Sequence, residues 1–443
     1  MSPERPINAD EPAKPDKANP EAPKPEPTPA ETKPRKPIPA ALKLIGGTFL
    51  VAIVFLVAAV IGGGGDGPST PDGPAPVPTA NEDKAEEEEP PAQRAASELG
   101  YPAFATANTT RVGGSDPASN AAAVALAVFP AATPTQRPAA VTLVDEADRE
   151  AAIAAAVLMA PPVRAPVLFS GPDGSPDPTS EALSALDPQG SAESGGAGAF
   201  VVGDVADPDG IEKITAVKGR GAAAAAALAR LRDRLFDSAP AHVLVVPSDE
   251  PGFAMPAAAW AARSGDPVLF SGRDKLPKAT AAALRRHPKV PVYVLGPSAA
   301  ISSDVFREIA ATAARVHRVS GEDPVANAIA FARYDDGDFG WNINDPGHGF
   351  VVARSDSPLD AIAAAPLSAA GTWGPLLLTD SAATLPAALR DYFLDVKPGY
   401  TTDPTRAFYN HVWVIGDQEA IDVNQQAEVD KLAELAKIGG GDE

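Results

Sequence analysis

Apolar and polar positions alternate in blocks between residues 100 and 437, and the clearest example is Ser355–Asp380. It follows an apolar run, Gly349–Ala353. It then continues as an alanine-rich segment, Leu359–Ala370, before a second apolar run at Leu376–Leu378. The pattern predicts strand, turn, helix, turn and strand, which together form a βαβ unit with a parallel pair of strands.

Weaker copies of this pattern occur twice earlier in the chain, so that three landmarks recur in the same order. A β-type run ending in a small-residue turn covers Ala165–Gly171, Asp266–Gly272 and Gly374–Asp380. A second apolar run with a glycine turn covers Val201–Ala206, Val294–Ile301 and Val414–Ile421. A glycine-led helix start precedes them at Gly114–Ala121, Gly219–Ala227 and Gly321–Ala328. Strands that alternate with helices form parallel sheets covered by helices. The sequence therefore predicts three tandem α/β modules, at residues 100–212, 213–318 and 319–437.

The first hundred residues differ in composition from the repeats. Residues 1–40 contain twelve prolines and few large apolar groups, which is typical of a disordered tail. Residues 41–62 include eighteen consecutive uncharged positions, Leu44–Ile61, enough for a helix of about 27 Å that crosses a membrane. Residues 63–99 are rich in glycine, proline and glutamate, as in a disordered linker.

Basic residues before the apolar segment and acidic residues after it predict a cytoplasmic N-terminus and an extracytoplasmic C-terminal region. We expect an uncleaved, single-pass signal-anchor in the cell membrane. A cleaved signal peptide is the alternative, although forty residues are long for the region that precedes its apolar core.

Composition narrows the class of function. The chain has no cysteine, which excludes disulfides, thiol catalysis and cysteine-bound metals. Its net charge of −21 argues against nucleic-acid binding. The five histidines are scattered, and we find no HExxH, GxSxG, Walker or GxGxxG motif. We therefore expect neither an enzyme nor a cofactor or metal site.

The repeats resemble a known family, the cell wall-binding repeat 2 of Gram-positive bacteria. The resemblance extends from about residue 108 to 435 and is strongest in the third repeat. The matching positions there are Pro358-Leu359-Asp360-Ala361, Pro366-Leu367, Pro375-Leu376-Leu377-Leu378-Thr379 and Val414-Ile415-Gly416. In the earlier repeats Phe253 and Ala151 stand at the position of Asp360.

The resemblance implies three Rossmann-like modules around a pseudo-threefold axis. It also implies non-covalent attachment to the wall through anionic polymers, with a role for the strand formed by Pro375, Leu376, Leu377 and Leu378. Physically, such leucines should be buried and should shape the module rather than touch a charged polymer.

Charge suggests another candidate surface. Residues 213–318 hold 16 Lys or Arg against 8 Asp or Glu, whereas the regions on either side are acidic. An anionic polymer should prefer this basic repeat, where the candidate ligands are Arg273, Lys275, Lys278, Arg285 and Arg286. Alternatively, these cations pair with the acidic neighbouring modules and hold the modules together.

Two further positions in the third repeat have alternative interpretations. Asp360 either faces a ligand or caps its helix, and capping is favoured there as it is for Asp116 and Asp323. The insertion Tyr334–Gly349, which includes Trp341, forms a sugar-stacking loop, a calcium site or an ordered loop on the third module.

The sequence thus predicts a membrane-anchored, extracytoplasmic protein that binds a cell-wall polymer through three repeats, with divalent cations as candidate bridges. Two alternatives stay open. One is an enzyme or accessory factor that acts on wall precursors through the third repeat, and the other is a protein-protein interaction module in the envelope.

Overall fold

A computed structural model describes residues 104–438. The predicted tail, membrane helix and linker at residues 1–40, 41–62 and 63–99 lie outside the described residues. Within residues 104–438, no helix has the length and apolar character needed to cross a membrane.

Three parallel sheets organise this region, as the repeats predicted. The first sheet contains β3 (Val141–Val144), β4 (Val167–Phe169), β5 (Ala199–Val202) and β6 (Ile214–Val217). The second contains β7 (Val243–Pro247), β8 (Val268–Ser271), β9 (Val292–Leu295) and β10 (Val316–Val319). The third contains β11 (Gly349–Arg354), β12 (Leu376–Thr379), β14 (His411–Ile415) and β2 (Thr109–Val112), with β1 (Phe104–Ala105) antiparallel at its edge. We call these sheets, with their helices, the first, second and third modules.

All three sheets have the same strand order. The first strand of each module lies between the second and the third, and the fourth strand pairs with the third. This order places a topological switch point between the first and third strands, as in Rossmann-like folds. The βαβ unit predicted in the third repeat is confirmed, because β11 and β12 pair in parallel with Val352 opposite Leu377.

Helices cover both faces of the sheets. In chain order they are α1 (Pro117–Val128), α2 (Arg149–Ala155), α3 (Asp177–Leu186), α4 (Gly221–Phe236), α5 (Pro251–Ser264), α6 (Lys278–Leu284), α7 (Ser303–Ala310), α8 (Pro324–Arg333), α9 (Asp360–Ala370), α10 (Ala387–Asp395) and α11 (Val423–Ala433). A short two-stranded sheet joins β13 (Gly399–Tyr400) to β15 (Ala436–Lys437).

The helix after the first strand of each module lies at the centre of the described region, where the three modules meet. These helices, α2, α5 and α9, pack on one another, and nearly all of their residues are buried. Alanine predominates in all three, and its small side chain lets helix backbones approach closely. One apolar cluster therefore runs through all three modules.

A second set of helices links neighbouring modules. Each of α1, α4 and α8 follows the fourth strand of one module and packs against the next module along. Helix α4 leaves the first module and packs on α6 and β8 of the second, while α8 leaves the second and packs on α10 and β12 of the third. Helix α1 completes the ring, since it follows β2 of the third module and packs on α3 and β4 of the first.

Strand β2 closes this ring and is fixed by a buried arginine that the sequence analysis missed. The Arg111 side chain is 1% exposed. It donates to the backbone carbonyls of Gly416 (2.9 Å), Asp417 and Ile421 and to the Gln426 side chain (3.0 Å). These bonds join the start of the described chain to its last module.

The sheets are offset from the predicted repeat units. Strand β2 comes from residues 100–212 but belongs to the third sheet, and β6 comes from residues 213–318 but belongs to the first. The apolar runs of the sequence predict the first three strands of each module, but not the fourth. Its sequences, such as Thr109–Val112 and Val316–Val319, contain threonine, histidine and arginine and are not apolar runs.

Candidate functional site

The carboxyl ends of the strands form an acidic surface. Ligands of open α/β sheets usually bind outside these ends at the switch point. Here that region carries Asp116, Asp145, Glu146, Asp148, Glu150, Asp249, Asp356, Asp360 and Asp417, which we call the acidic face. Burial raises the pKa of Glu146, and nearby Asp116 and Asp145 raise it further. Arg220 pairs with Asp145 (3.3 Å) and Arg354 pairs with Asp356 (2.6 Å), and the remaining acids should repel an anionic polymer.

A cavity of about 130 Å³ opens at the acidic face between the first and second modules. Asp148 lies beside it, caps α2 through the Ala151 backbone N–H (3.1 Å), and accepts the N–H of Gly221 (2.9 Å). Burial and the Asp148 carboxylate raise the pKa of Glu150, which also lines the cavity. No group of three or more metal-binding side chains occurs among residues 104–438.

Asp360 lies at the start of α9 and is buried, with 4% of its surface exposed. Its carboxylate accepts a hydrogen bond from the Asn120 side chain on α1 (2.9 Å). Burial raises its pKa to about 6, and the Asn120 hydrogen bond opposes this shift.

The prediction that the Asp360 side chain caps its helix is wrong. Its side chain bonds no N–H group of α9, and Leu359 occupies the capping position. The capping predictions for Asp116 and Asp323 are confirmed, because their side chains accept the backbone N–H groups of Ser119 and Ala326. Asp360 instead bonds the helix that closes the ring.

In the second module a different residue occupies the position of Asp360. Phe253 stands there, and Asn327, the counterpart of Asn120, donates to the Phe253 backbone carbonyl (3.4 Å). Both asparagines also accept the N–H of a preceding glycine, Gly114 (2.7 Å) or Gly321 (3.2 Å). The asparagine thus fixes the turn before two of the three linking helices, α1 and α8, whether or not an aspartate is present.

The five basic candidates lie around α6 of the second module, and all are exposed. Arg273 and Lys275 precede the helix and Lys278 begins it, whereas Arg285 and Arg286 follow its last residue. The seven residues of α6 separate the two groups by about 10 Å along its axis. The structure therefore produces a basic strip along one outer helix rather than a single compact cluster.

In the part of the chain that the structure describes, ion pairs involve only two of the five cations in this strip. Arg273 pairs with Asp274 (2.6 Å), and Arg286 pairs with Asp233 of α4. Lys275, Lys278 and Arg285 form no ion pair with any residue in 104–438. Within the described chain, none of the five forms an ion pair with a residue on a strand of the first or third sheet. Arg286, however, joins α6 to α4, the helix that leaves the first module, so this one pair supports the alternative in which the cations hold modules together.

The strand formed by Pro375, Leu376, Leu377 and Leu378 is buried throughout. It is β12 with the proline before it, and it packs against α8 and α5 of the second module as well as its own helices. These residues shape the boundary between modules and do not reach the surface.

The insertion at residues 334–349 contacts both the third and the second modules. The expected packing on the third module is present, since Tyr392 of α10 donates to the Ile343 carbonyl (3.1 Å), and the contacts with the second module were not predicted. Phe339 stacks on Tyr293 of β9 with ring centres 3.5 Å apart. Trp341 meets Trp260 of α5 edge to face at 5.4 Å and lies under the Arg263 guanidinium. Trp341 is half-buried and serves as an inter-module contact in this structure.

Comparisons with known proteins agree with this architecture. Residues 318–425 match the family model described as Cell wall binding domain 2 (CWB2), which confirms the resemblance in the third repeat. No curated protein matches the chain.

Two solved structures are similar in fold, Cwp6 and Cwp8 from Clostridium difficile. Both are 19% identical to this chain and cover 74% of it, with TM-scores of 0.58 and 0.55. The aligned region spans 48% of Cwp6 and 52% of Cwp8, so the chain covers about half the length of each.

Proposed function

We propose that the three modules bind the bacterial cell wall non-covalently and that the protein tethers the membrane to the wall. The observation that carries this proposal is the match of residues 318–425 to Cell wall binding domain 2, within a closed ring of three similar modules. Residues 44–61 would supply the membrane anchor, with the ring outside the cell.

An anionic wall polymer is the proposed ligand, and the basic strip of the second module is its proposed contact. Lys275, Lys278 and Arg285 are exposed cations without ion pairs among the described residues. The acidic face is an unfavourable surface for such a polymer unless divalent cations bridge the two. Several weak contacts on one long polymer would raise the overall affinity through a high effective concentration.

Co-sedimentation of the full chain with purified walls tests the proposal. We expect retention on untreated walls, and reduced retention after anionic polymers are removed. A chelator arm measures the contribution of divalent cations. Retention on no wall preparation would overturn wall binding, and loss of retention only after proteins are stripped from the walls would identify a protein partner instead.

A further inference from the structure

A second chemically distinct pocket lies on the third module, at the amino ends of β11 and β14. It has a volume of about 360 Å³. Its lining includes Pro346, Tyr400, Asp403, Arg406, Phe408 and Ile438. We call it the aromatic pocket.

The aromatic pocket is built from segments particular to the third module. One wall comes from the end of the insertion, at Pro346, and most of the rest comes from residues 396–410, between α10 and β14. The corresponding connection in the second module, residues 285–291, is much shorter and contains no Phe, Tyr or Trp. The pocket is therefore an addition to the shared fold.

An exposed aromatic side chain is its main feature. The Phe408 side chain is 70% exposed, and Tyr400 lies half-buried nearby. Ile438, which lines the same pocket, is also exposed, at 57%, and neighbouring exposed apolar side chains often mark a binding surface. Aromatic rings at such sites present a flat face against which a ligand can stack.

The loop holds Phe408 in place although the ring faces solvent. Asn410 is 3% exposed. Its side-chain oxygen accepts the N–H groups of Gly347 (2.9 Å) and His348 (3.1 Å), and its nitrogen donates to the Val396 carbonyl (2.8 Å). Gly347, at φ +108°, lies so close to Phe408 that a Cβ there would be 3.0 Å from the Phe408 Cβ. These contacts anchor the backbone that carries Phe408, so less conformational entropy is lost when a ligand arrives.

The polar groups around the ring match a sugar. Asp403 accepts the Thr405 N–H (3.0 Å) and hydroxyl (2.7 Å), which lowers its pKa and keeps it an ionised acceptor. Arg406 offers guanidinium donors and forms no ion pair in the described part of the chain. Thr401 and Thr402 add hydroxyls that both donate and accept. One carboxylate balances one guanidinium, so the pocket favours a neutral ligand rich in hydroxyl groups.

We propose that the aromatic pocket binds a neutral pyranose ring of a wall saccharide, with the sugar stacked on Phe408 and its hydroxyls shared between Asp403 and Arg406. This inference rests on the proposed wall-binding function for the source of the saccharide. It adds a contact whose strength depends on stacking and hydrogen bonds, not on net charge.

Saturation-transfer NMR on the full chain tests the pocket with four probes: linear tetramers of N-acetylglucosamine, glucose, mannose and galacturonic acid. At least one neutral tetramer should receive saturation. It should bind as well in 0.5 M salt as in dilute buffer, since a screening length of about 4 Å at that salt concentration weakens interactions between exposed charges. Phe408→Ala should weaken binding by about tenfold, as for the loss of a central aromatic contact.

Leu394→Ala is the matched control, because Leu394 is also exposed, at 50%, but lies on α10 outside the pocket. It should bind the tetramer like the wild type, and both variants should keep the wild-type melting temperature. Binding of galacturonic acid alone, binding of no tetramer, or unchanged binding by Phe408→Ala would each overturn the proposal. Because the tetramers are added in solution, these outcomes are independent of whether the chain is retained on walls.

Discussion

The second and third modules share an interior and differ outside. Both have four parallel strands in the same order. Both also have an arginine at the third position of the fourth strand, Arg318 or Arg111. Outside, the second module has a basic helix and a short connection, whereas the third has the insertion, a long connection and the aromatic pocket. Packing around the central helices constrains the interior, and the outer surfaces are free to acquire different binding chemistry.

The largest difference in stability between the two modules should appear when their equivalent arginines, Arg111 and Arg318, are replaced. Arg111 makes four hydrogen bonds and is almost fully buried, while Arg318 is half-buried and donates to the carbonyls of Gly296 (2.7 Å) and Ile301 (2.9 Å). Arg111→Ala should cost about 3–5 kcal/mol and Arg318→Ala about 1–3 kcal/mol, because buried carbonyls lose their donors. Equilibrium denaturation of the two variants measures both values. Equal losses would show that ring closure has no special dependence on Arg111.

Leu377 of β12 and Leu269 of β8 occupy matching positions in the second strands of their modules. Replacing each leucine tests whether β12 shapes the module or contacts the ligand. Leu377→Ala and Leu269→Ala both create cavities in buried strands and should each destabilise the chain by about 2–5 kcal/mol. Wall retention, measured well below the melting temperature, should stay close to that of the wild type. A stable Leu377→Ala variant that loses retention would assign the strand a direct binding role.

Asp360, the buried acid at the start of the third module's central helix, should make stability depend on pH. The pKa of Asp360 is raised to about 6, above the value of about 4 in an unfolded chain. The stabilisation of the folded state by protonated Asp360 is therefore complete below about pH 4. It is lost as the pH rises through 6, which lowers the free energy of unfolding by up to about 3 kcal/mol. Asp360→Asn removes this loss and should be more stable than the wild type at pH 8.

Subtracting the unfolding free energy of the Asp360→Asn variant from that of the wild type isolates the contribution of Asp360. Glu146 and Glu150, whose pKa values are also raised, titrate in both proteins and cancel. A difference in unfolding free energy that does not change between pH 4 and 8 would exclude the proposed burial of an ionisable Asp360. Phe253→Tyr, at the matched position in the second module, should leave the pH dependence unchanged.

The smallest effect should come from the outer surface of the second module. Replacing Lys275, Lys278 and Arg285 by Gln should weaken wall binding by roughly 0.2–1 kcal/mol per residue at low salt without changing the melting temperature. Arg307→Gln is a suitable control, since Arg307 is exposed on α7 but pairs with Asp304. Wall affinity unchanged in the triple variant would leave the basic strip without a role in binding.

Particular residues explain what could be predicted from the sequence. The helix Asp360–Ala370 and its two flanking strands were predicted because their apolar runs are continuous and glycine marks the breaks between them. The parallel pairing followed from the alternation of strands and helices. Burial of Leu376–Leu378 followed from their composition.

Other features depend on contacts that no local pattern encodes. Strand β2 is polar, and its partner β14 lies about three hundred positions further along the chain. A polar strand is recognised only through the partner that buries it. The repeated Arg-Val before a small residue and a glycine, at residues 111–114 and 318–321, was the available indication of a shared structural role. Likewise, Trp341 looked like a surface aromatic until its packing on Trp260 became visible.

The most direct test of wall binding is the dissociation constant of the full chain on purified walls, measured against ionic strength before and after anionic polymers are removed. We predict binding to untreated walls that weakens with added salt, and a salt dependence that largely disappears once the polymers are gone. Absence of binding to untreated walls at every ionic strength would contradict the proposed function.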